Sequence, residues 1–154
     1  MKALIQRVSK ASVTVEGTVQ GAIDQGFVVL LGVREGDDEQ AARYLADKTV
    51  NLRVFPDPQG RMNLSLKDNG GGILVISQFT LYADTRKGNR PSFIQAAKPE
   101  LAQQLYSLYV DALTAELGKK RVACGIFGAH MLVELINDGP VTIELNTDRY
   151  AKEN

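Results

Sequence analysis

The chain has 154 residues, of which 44% are hydrophobic, so it can bury one core but has little room for a separate regulatory domain. Its 18 basic side chains balance 18 acidic ones, which argues against a protein that coats nucleic acid through overall positive charge. Because it has a single cysteine, Cys124, and no apolar run near the roughly 20 residues that cross a bilayer, we expect a cytoplasmic protein without a membrane span.

The first third of the chain predicts strands followed by a helix. Residues 3–33 alternate apolar and polar side chains and end in the apolar run FVVLLGV, a pattern typical of four short strands in a meander. Asp37, with Gln40 three residues later, is a suitable N-cap for a helix that reaches about Val50 and turns Leu45 toward the core. We therefore expect a β-meander packed against a first helix.

The rest of the chain predicts a hairpin, a second helix and further strands. LRVF and MNLSL flank the turn PDPQG, which is typical of a hairpin. Pro99 suits the first position of a helix, and Gly118 stands where a helix would end. RVACGI, MLVELI and VTIEL then read as strands. The predicted fold class is α+β: a single domain with a mostly antiparallel, barrel-like β core and two main helices.

Two polar stretches interrupt these apolar strands. SQFTLY, Ser77 to Tyr82, ends a buried-looking strand with hydroxyl and amide groups, which taken alone is typical of a turn or an edge. NDGPVT, Asn137 to Thr142, reads as a tight turn between two strands. A Gly-Pro bond nevertheless adopts the cis form for only about 0.5–1 kcal/mol, and glycine leaves its carbonyl unshielded. Such a segment can present bare backbone oxygens as a rigid wall.

Other candidates for chemistry have simpler explanations. His130 is the only histidine, so a catalytic triad would have to combine it with Ser77 or another hydroxyl far away in sequence. A lone histidine at the head of an apolar strand is more typical of a packed or surface residue. Cys124 in RVACGI is most simply a small buried apolar residue. We expect no metal site, because one His and one Cys would leave only carboxylates as ligands.

SQFTLY and NDGPVT, supported by IQRVSKASVTVEG, ADTRKGNRPSF and GIFGAHM, closely resemble the D-aminoacyl-tRNA deacylases, also called D-tyrosyl-tRNA deacylases. The resemblance runs from Met1 to about Leu145, which suggests a deacylase domain over residues 1–147 and a polar tail over residues 148–154. It implies a cytoplasmic homodimer that hydrolyses the ester joining a D-amino acid to the terminal adenosine of tRNA. No cofactor or metal is implied.

The resemblance also assigns site residues. It implies that Ser77, Gln78, Phe79 and Thr80 line one wall of the pocket. Gly139 and Pro140, joined by a cis bond, would reach across the dimer into the partner's pocket. A backbone wall there would clash with the side chain of an L-amino acid and not with that of a D-amino acid. Glycine would pass, so mischarged glycyl-tRNA is an expected second substrate.

Catalysis has two possible forms. In one, Thr80 is a nucleophile, but neither SQFTLY nor NDGPVT offers the Lys or His that would activate it. In the other, which the family favours, the ribose 2′-hydroxyl of the tRNA assists attack by water, and backbone N–H groups near Phe79 and Thr80 stabilise the oxyanion. The second form predicts that Thr80→Ala keeps substantial activity.

Contacts to tRNA should be local, because the net charge is zero. The candidates for phosphate binding are basic side chains of two segments: Arg86, Lys87, Arg90, Lys119, Lys120 and Arg121. They could equally be solvated surface charges. Phe127 and Met131 are candidates for packing on the terminal base, or for the core. Two other functions stay open, a non-catalytic RNA-binding module and an RNA-independent hydrolase of small D-amino-acid esters.

Overall fold

The computed structural model describes residues 1–148, which form a six-stranded sheet, a two-stranded ribbon and three α-helices. The strands are β1 (Lys2–Val15), β2 (Thr18–Ile23), β3 (Gly26–Gly32), β4 (Phe55–Pro56), β5 (Met62–Leu64), β6 (Gly72–Ser77), β7 (Val122–Cys124) and β8 (Leu132–Asn146). The helices are α1 (Glu39–Asn51), α2 (Leu66–Asn69) and α3 (Pro99–Leu117). Short 3₁₀ turns cover Phe79–Tyr82 and Lys119–Arg121.

The sheet is mixed and nearly closes on itself. Its path runs β2-β1-β3-β6-β7, and β8 pairs with β1. β1 is antiparallel to β2, β3 and β8, whereas β3–β6 and β6–β7 are parallel. The two ends of the path approach each other where a Cβ on Gly21 of β2 would lie only 2.8 Å from the carbonyl oxygen of Cys124 in β7. The predicted α+β class with a barrel-like core is confirmed. The two parallel strand pairs, β3–β6 and β6–β7, were not predicted.

The first strand is longer than predicted. The expected meander of four short strands is wrong, because ALIQRVS and SVTVEG form the single strand β1. No glycine or proline separates them, so nothing ends the strand. Instead β1 bends near the exposed Ser9 and Lys10, where its register with β8 shifts between Val8 and Lys10. β1 is therefore the central strand that joins β2, β3 and β8.

The first helix begins one residue later than predicted. The N-cap is Asp38, whose Oδ1 accepts from the N–H of Ala41 at 2.9 Å, and not Asp37. Asp37 has other partners: its carboxylate accepts from the N–H of Arg34 at 2.6 Å and from the ammonium of Met1 at 2.7 Å. The predicted inward face is correct, since Leu45 is buried.

The helix predicted from Pro99 is α3, and it has the predicted boundaries, with Pro99 at its start and Gly118 after its end. α1 and α3 pack against each other, and the hydroxyl groups of Thr49 and Tyr109 form a buried hydrogen bond of 2.8 Å between them. The main core lies between these helices and one face of the sheet. A second buried cluster, which includes Val13, Leu74 and Ile76, lies on the other face.

Three further expectations concern peripheral parts. LRVF contributes only its last residue to β4, so the predicted strand over residues 52–55 is too long, although the hairpin turn is present. The polar tail predicted over residues 148–154 lies outside the described residues except for Asp148, which forms an ion pair of 3.2 Å with Arg34. In the part of the chain that the structure covers, no helix is both long and apolar enough to cross a membrane.

Candidate active site

A pocket of about 640 Å³ opens where β6 ends, beside the start of α3. Five residues predicted for the site lie in its wall: Ser77, Gln78, Phe79, Phe127 and Met131. The other side chains in its wall include Phe93 and Tyr106, for which the sequence predicts no role in a site, and His130, the candidate histidine of a triad. Most of the wall is apolar, so the few polar groups in it define where a substrate can form hydrogen bonds.

The turn after β6 presents unpaired backbone donors. The N–H of Gln78 donates to the Leu31 carbonyl at 2.8 Å, which extends the pairing of β6 with β3. The chain then enters a 3₁₀ turn whose hydrogen bonds begin with the N–H of Leu81, which donates to the Gln78 carbonyl at 3.3 Å. The N–H groups of Phe79 and Thr80 therefore have no partner within the turn. Both can stabilise developing negative charge on a substrate oxygen.

The side chains of Gln78 and Thr80 are paired with each other. The Gln78 amide donates from Nε2 to the hydroxyl oxygen of Thr80. An amide cannot take up a proton at neutral pH, so this partner cannot activate the hydroxyl as a nucleophile. Thr80 is exposed and is not part of the pocket wall as defined above, although it adjoins that wall through Gln78. The arrangement positions polar groups and does not resemble an activated nucleophile.

Two neighbouring aromatic side chains, those of Tyr106 and Phe127, line the pocket. The Tyr106 hydroxyl donates to the Val75 carbonyl at 2.9 Å, and burial raises the pKa of this phenol far above its ordinary value. The ring of Phe127 lies 5.8 Å from that of Tyr106. Aromatic side chains in a pocket wall are suited to contact with a flat heterocycle. Tyr106 stays neutral at any pH at which the protein would be assayed.

The segment NDGPVT is not a turn between two strands. It lies inside β8, and its first and last residues both pair with β1: Asn137 lies opposite Val8, and Thr142 lies opposite Gln6. Four residues of β8 stand opposite one of β1, so the segment bulges out of the ladder. The earlier interpretation as a tight turn is therefore wrong, because pairing with β1 continues beyond the bulge.

The bulge is held by Arg7 from β1. The Arg7 Nε donates to the Asp138 carbonyl at 2.9 Å, and its Nη1 donates to the carbonyl of Val54. The Gly139–Pro140 peptide bond is cis, and both residues are exposed. Neither lines the pocket of its own chain. Their predicted role across a dimer interface stays a prediction.

Comparisons with known proteins identify the family of this chain. Residues 4–146 match the family described as D-Tyr-tRNA(Tyr) deacylase. The chain belongs to the D-Tyr-tRNA(Tyr) deacylase family. The D-aminoacyl-tRNA deacylase of Natranaerobius thermophilus is 53% identical over 149 residues, 97% of this chain and 99% of that protein. The one from Heliobacterium modesticaldum is 58% identical over 145 residues, 93% of this chain and 94% of that protein.

Solved structures of similar proteins share the fold of this deacylase family member. The c-Myc DNA unwinding element binding protein superposes with a TM-score of 0.90 at 42% identity, covering 95% of this chain and 98% of that one. A probable eukaryotic D-amino acid tRNA deacylase superposes with a TM-score of 0.80 at 16% identity, covering 94% and 98%, and shows the likeness of fold alone. The predicted enzyme class, a hydrolase of ester bonds, follows from the family.

The predicted basic contacts of this deacylase family member differ in their surroundings. Arg86 pairs with Asp84 through two hydrogen bonds of 2.9 and 2.6 Å, and this guanidinium lowers the pKa of Asp84 to about 2. Lys87 and Arg90 are exposed. Arg121 donates to the carbonyls of Gly71 and Leu66, so it stabilises the entry to β6 and is a poor candidate for a phosphate contact.

The remaining candidate groups have, over the described part of the chain, no neighbours that indicate chemistry. Within residues 1–148, no three His, Cys, Asp or Glu side chains gather as a metal site would require. Cys124 is half-buried, and burial raises the pKa of its thiol. His130 lies at the exposed side of the pocket wall, and no hydrogen bond joins it to Ser77 or Thr80 among the described residues.

Proposed function

We propose that this chain hydrolyses the ester bond of D-aminoacyl-tRNAs and releases the free D-amino acid and tRNA. The observation that carries the proposal is the turn after β6: Ser77, Gln78 and Phe79 line the pocket, and the N–H groups of Phe79 and Thr80 in the same turn have no partner within it. Its relatives are named as D-aminoacyl-tRNA deacylases, which supports the choice of substrate class.

In the proposed reaction, water attacks the carbonyl carbon of the ester, and the bond from that carbon to the ribose oxygen breaks. The proton lost by the water passes through the 2′-hydroxyl of the terminal adenosine to the leaving ribose oxygen. The N–H groups of Phe79 and Thr80 stabilise the oxyanion. The pairing of Thr80 with the Gln78 amide supports this route over a threonine nucleophile, because no base contacts the hydroxyl.

Selection for D-amino acids, in this proposal, comes from Gly139 and Pro140 of a second copy of the chain. Both residues are exposed, lie outside the pocket of their own chain and sit on a bulge that Arg7 holds through the Asp138 carbonyl. A backbone wall excludes the side chain of an L-amino acid from the only direction left to it. Because glycine has no side chain, glycyl-tRNA should also be hydrolysed.

The proposal requires a homodimer. β8 connects the pocket wall at Val133 to the bulge at Gly139, and its first half exposes Leu132 (61%) and Ile136 (51%). Exposed apolar side chains next to a functional pocket are typical of an interface. A dimer through this region would cover them and would place each bulge beside the partner's pocket.

The tRNA end would fit the pocket by its chemistry. Tyr106, Phe127 and Met131, which line the same pocket, would contact the terminal adenine. Lys87 and Arg90 would contact backbone phosphates, because their charges are exposed. Recognition would then be independent of tRNA sequence, since none of these contacts reads base pairs.

The test compares three substrates: D-tyrosyl-tRNA, its 2′-deoxy counterpart and a simple D-tyrosine ester. We expect rapid release of D-tyrosine from the first and much slower release from the other two. Equal rates with the simple ester would favour an RNA-independent esterase. Binding of tRNA without turnover would favour an RNA-binding module. Rapid cleavage of L-tyrosyl-tRNA would contradict selection by the backbone wall.

A further inference from the structure

Phe93 contacts the turn that carries the proposed oxyanion donors. Its ring centre lies 5.1 Å from that of Phe79, and the two ring planes meet at 75°, an edge-to-face arrangement. Phe79 is 57% exposed, so the core alone does not hold its side chain. Phe93 is 37% exposed and also lines the pocket. The orientation of Phe79 therefore depends on a neighbour outside its own turn.

The backbone around Phe93 is fixed on both sides. Before it, Ser92 and Asp84 exchange two main-chain hydrogen bonds of 2.9 and 2.7 Å. After it, the Gln95 carbonyl accepts from the N–H of Glu35 at 3.1 Å, next to the end of β3. The 3₁₀ turn that carries Phe79 begins after Gln78, whose N–H donates to the Leu31 carbonyl at 2.8 Å, and ends at the buried Tyr82. Phe93 thus lies on a segment whose backbone is hydrogen-bonded on both sides, and its ring contacts the exposed ring of Phe79.

We propose that Phe93 is a positioning residue, which fixes Phe79 and through it the direction of the Phe79 and Thr80 N–H groups toward the substrate carbonyl. This inference rests on the proposed function. A small displacement of oxyanion donors weakens a transition-state contact more than it weakens binding of the ground state. Loss of the ring at position 93 should therefore lower kcat and leave KM nearly unchanged.

The test measures kcat and KM for D-tyrosyl-tRNA in Phe93→Leu, Phe93→Tyr and Ile94→Ala. We expect kcat of Phe93→Leu to fall about tenfold, which is the change in rate that corresponds to the largest typical energy of one aromatic pair. KM should stay within about twofold of wild type. Phe93→Tyr keeps the ring and should retain most of the activity. Ile94 is the adjacent residue, is 90% exposed and does not line the pocket, so Ile94→Ala is the matched control with unchanged kinetics.

A double variant tests the route through Phe79. If Phe93 acts by holding Phe79, then Phe93→Leu should have little further effect on kcat in a Phe79→Leu background. Additive losses would overturn the inference, as would a rise in KM with unchanged kcat in Phe93→Leu, which would make Phe93 only a binding surface. Thermal unfolding of each variant gives a separate measure of folding, and equal kcat losses in Phe93→Tyr and Phe93→Leu would also contradict the role.

The outcome distinguishes this inference from the proposed function. Wild-type protein that does not release D-tyrosine from D-tyrosyl-tRNA would overturn both. An active wild type with Phe93→Leu kinetics equal to those of Ile94→Ala would overturn only the role of Phe93.

Discussion

Arg7 and Asp138 are joined by a hydrogen bond of 2.9 Å from the guanidinium Nε to the main-chain carbonyl, across the gap that the bulge leaves in the ladder. The same guanidinium donates to the Val54 carbonyl, so one side chain ties the bulge of β8 to the segment after α1. Arg7 is only 12% exposed, which favours a single geometry. The shape of the bulge is thus set by a side chain of the neighbouring strand.

Arg7→Met should lower both stability and chiral selection. The part-buried Val54 carbonyl loses its donor, which we expect to lower the free energy of unfolding by about 1–3 kcal/mol. A looser bulge should also raise the rate on L-tyrosyl-tRNA relative to D-tyrosyl-tRNA. Denaturant unfolding and paired deacylation assays measure the two effects. Arg53→Met, which removes a comparable exposed contact to the Asn63 carbonyl, is the control and should leave selection unchanged.

Gly139→Ala should disturb the bulge directly. Gly139 has a φ of +134°, and an added Cβ would lie 2.9 Å from the Val141 nitrogen, closer than real Cβ atoms approach. We expect a loss of about 1–3 kcal/mol in stability and a smaller ratio of D- to L-tyrosyl-tRNA cleavage. Gly60→Ala is the control for the cost of placing alanine at a positive φ. Gly60 has a φ of +79°, but an added Cβ there would have nothing within 4 Å, so this variant lacks the steric clash of Gly139→Ala. Selection that stays intact in Gly139→Ala would contradict the backbone wall.

The parts of the fold that sequence reasoning predicted correctly depend on local signals. Pro99 and Gly118 limit α3 through backbone properties of single residues. The continuous apolar run before SQFTLY predicts the buried strand that ends there. Both features would be the same in almost any fold that used these segments.

Most of the features that the sequence does not predict depend on partners far away in sequence. Asp37 and Asp38 both suit an N-cap, and the distant partner of Asp37 is the N-terminal ammonium of Met1, 36 residues earlier. NDGPVT has the composition of a turn, but its course is set by its pairing with β1, more than 120 residues earlier. Phe93 lies in a polar stretch, and its contact with Phe79 follows from how the chain returns to β3. No local pattern carries this information.

Thr80→Ala should keep substantial activity. Its hydroxyl accepts a hydrogen bond from the Gln78 amide and has no base beside it, so its loss removes about one hydrogen bond, a fall in kcat of about fivefold. Removal of a true nucleophile would lower kcat on the order of a millionfold, as in serine proteases. Single-turnover assays with D-tyrosyl-tRNA decide between these sizes. Detection of an acyl group on wild-type Thr80 by intact mass would favour the nucleophile instead.

Cys124 should react slowly with thiol reagents at neutral pH. Burial raises the pKa of its thiol, so the thiolate that reacts is scarcer in the folded protein than in the unfolded chain. The folded state therefore holds this proton more tightly, which adds to the free energy of unfolding at neutral pH. This contribution is lost as the pH rises above the ordinary thiol pKa of about 8.5. Alkylation by iodoacetamide, with and without denaturant, measures the difference. Equal rates at pH 7 would contradict it, and Cys124→Ala should keep wild-type turnover.

The exposed cations should affect binding of tRNA according to their local partners. All three are exposed, but Arg86 is already paired with Asp84, whereas within residues 1–148 Lys87 and Arg90 form no ion pair. Lys87→Ala and Arg90→Ala should therefore each raise KM for D-tyrosyl-tRNA by several-fold, and Arg86→Ala by less. In all three, kcat should stay unchanged, because phosphate contacts bind ground state and transition state alike.

Arg61→Ala, in the exposed turn between β4 and β5, is the control for removal of one surface charge. A larger effect of Arg86→Ala than of Arg90→Ala would mean that the pair with Asp84 opens on binding, and equal KM values in all four variants would exclude this loop from the tRNA interface.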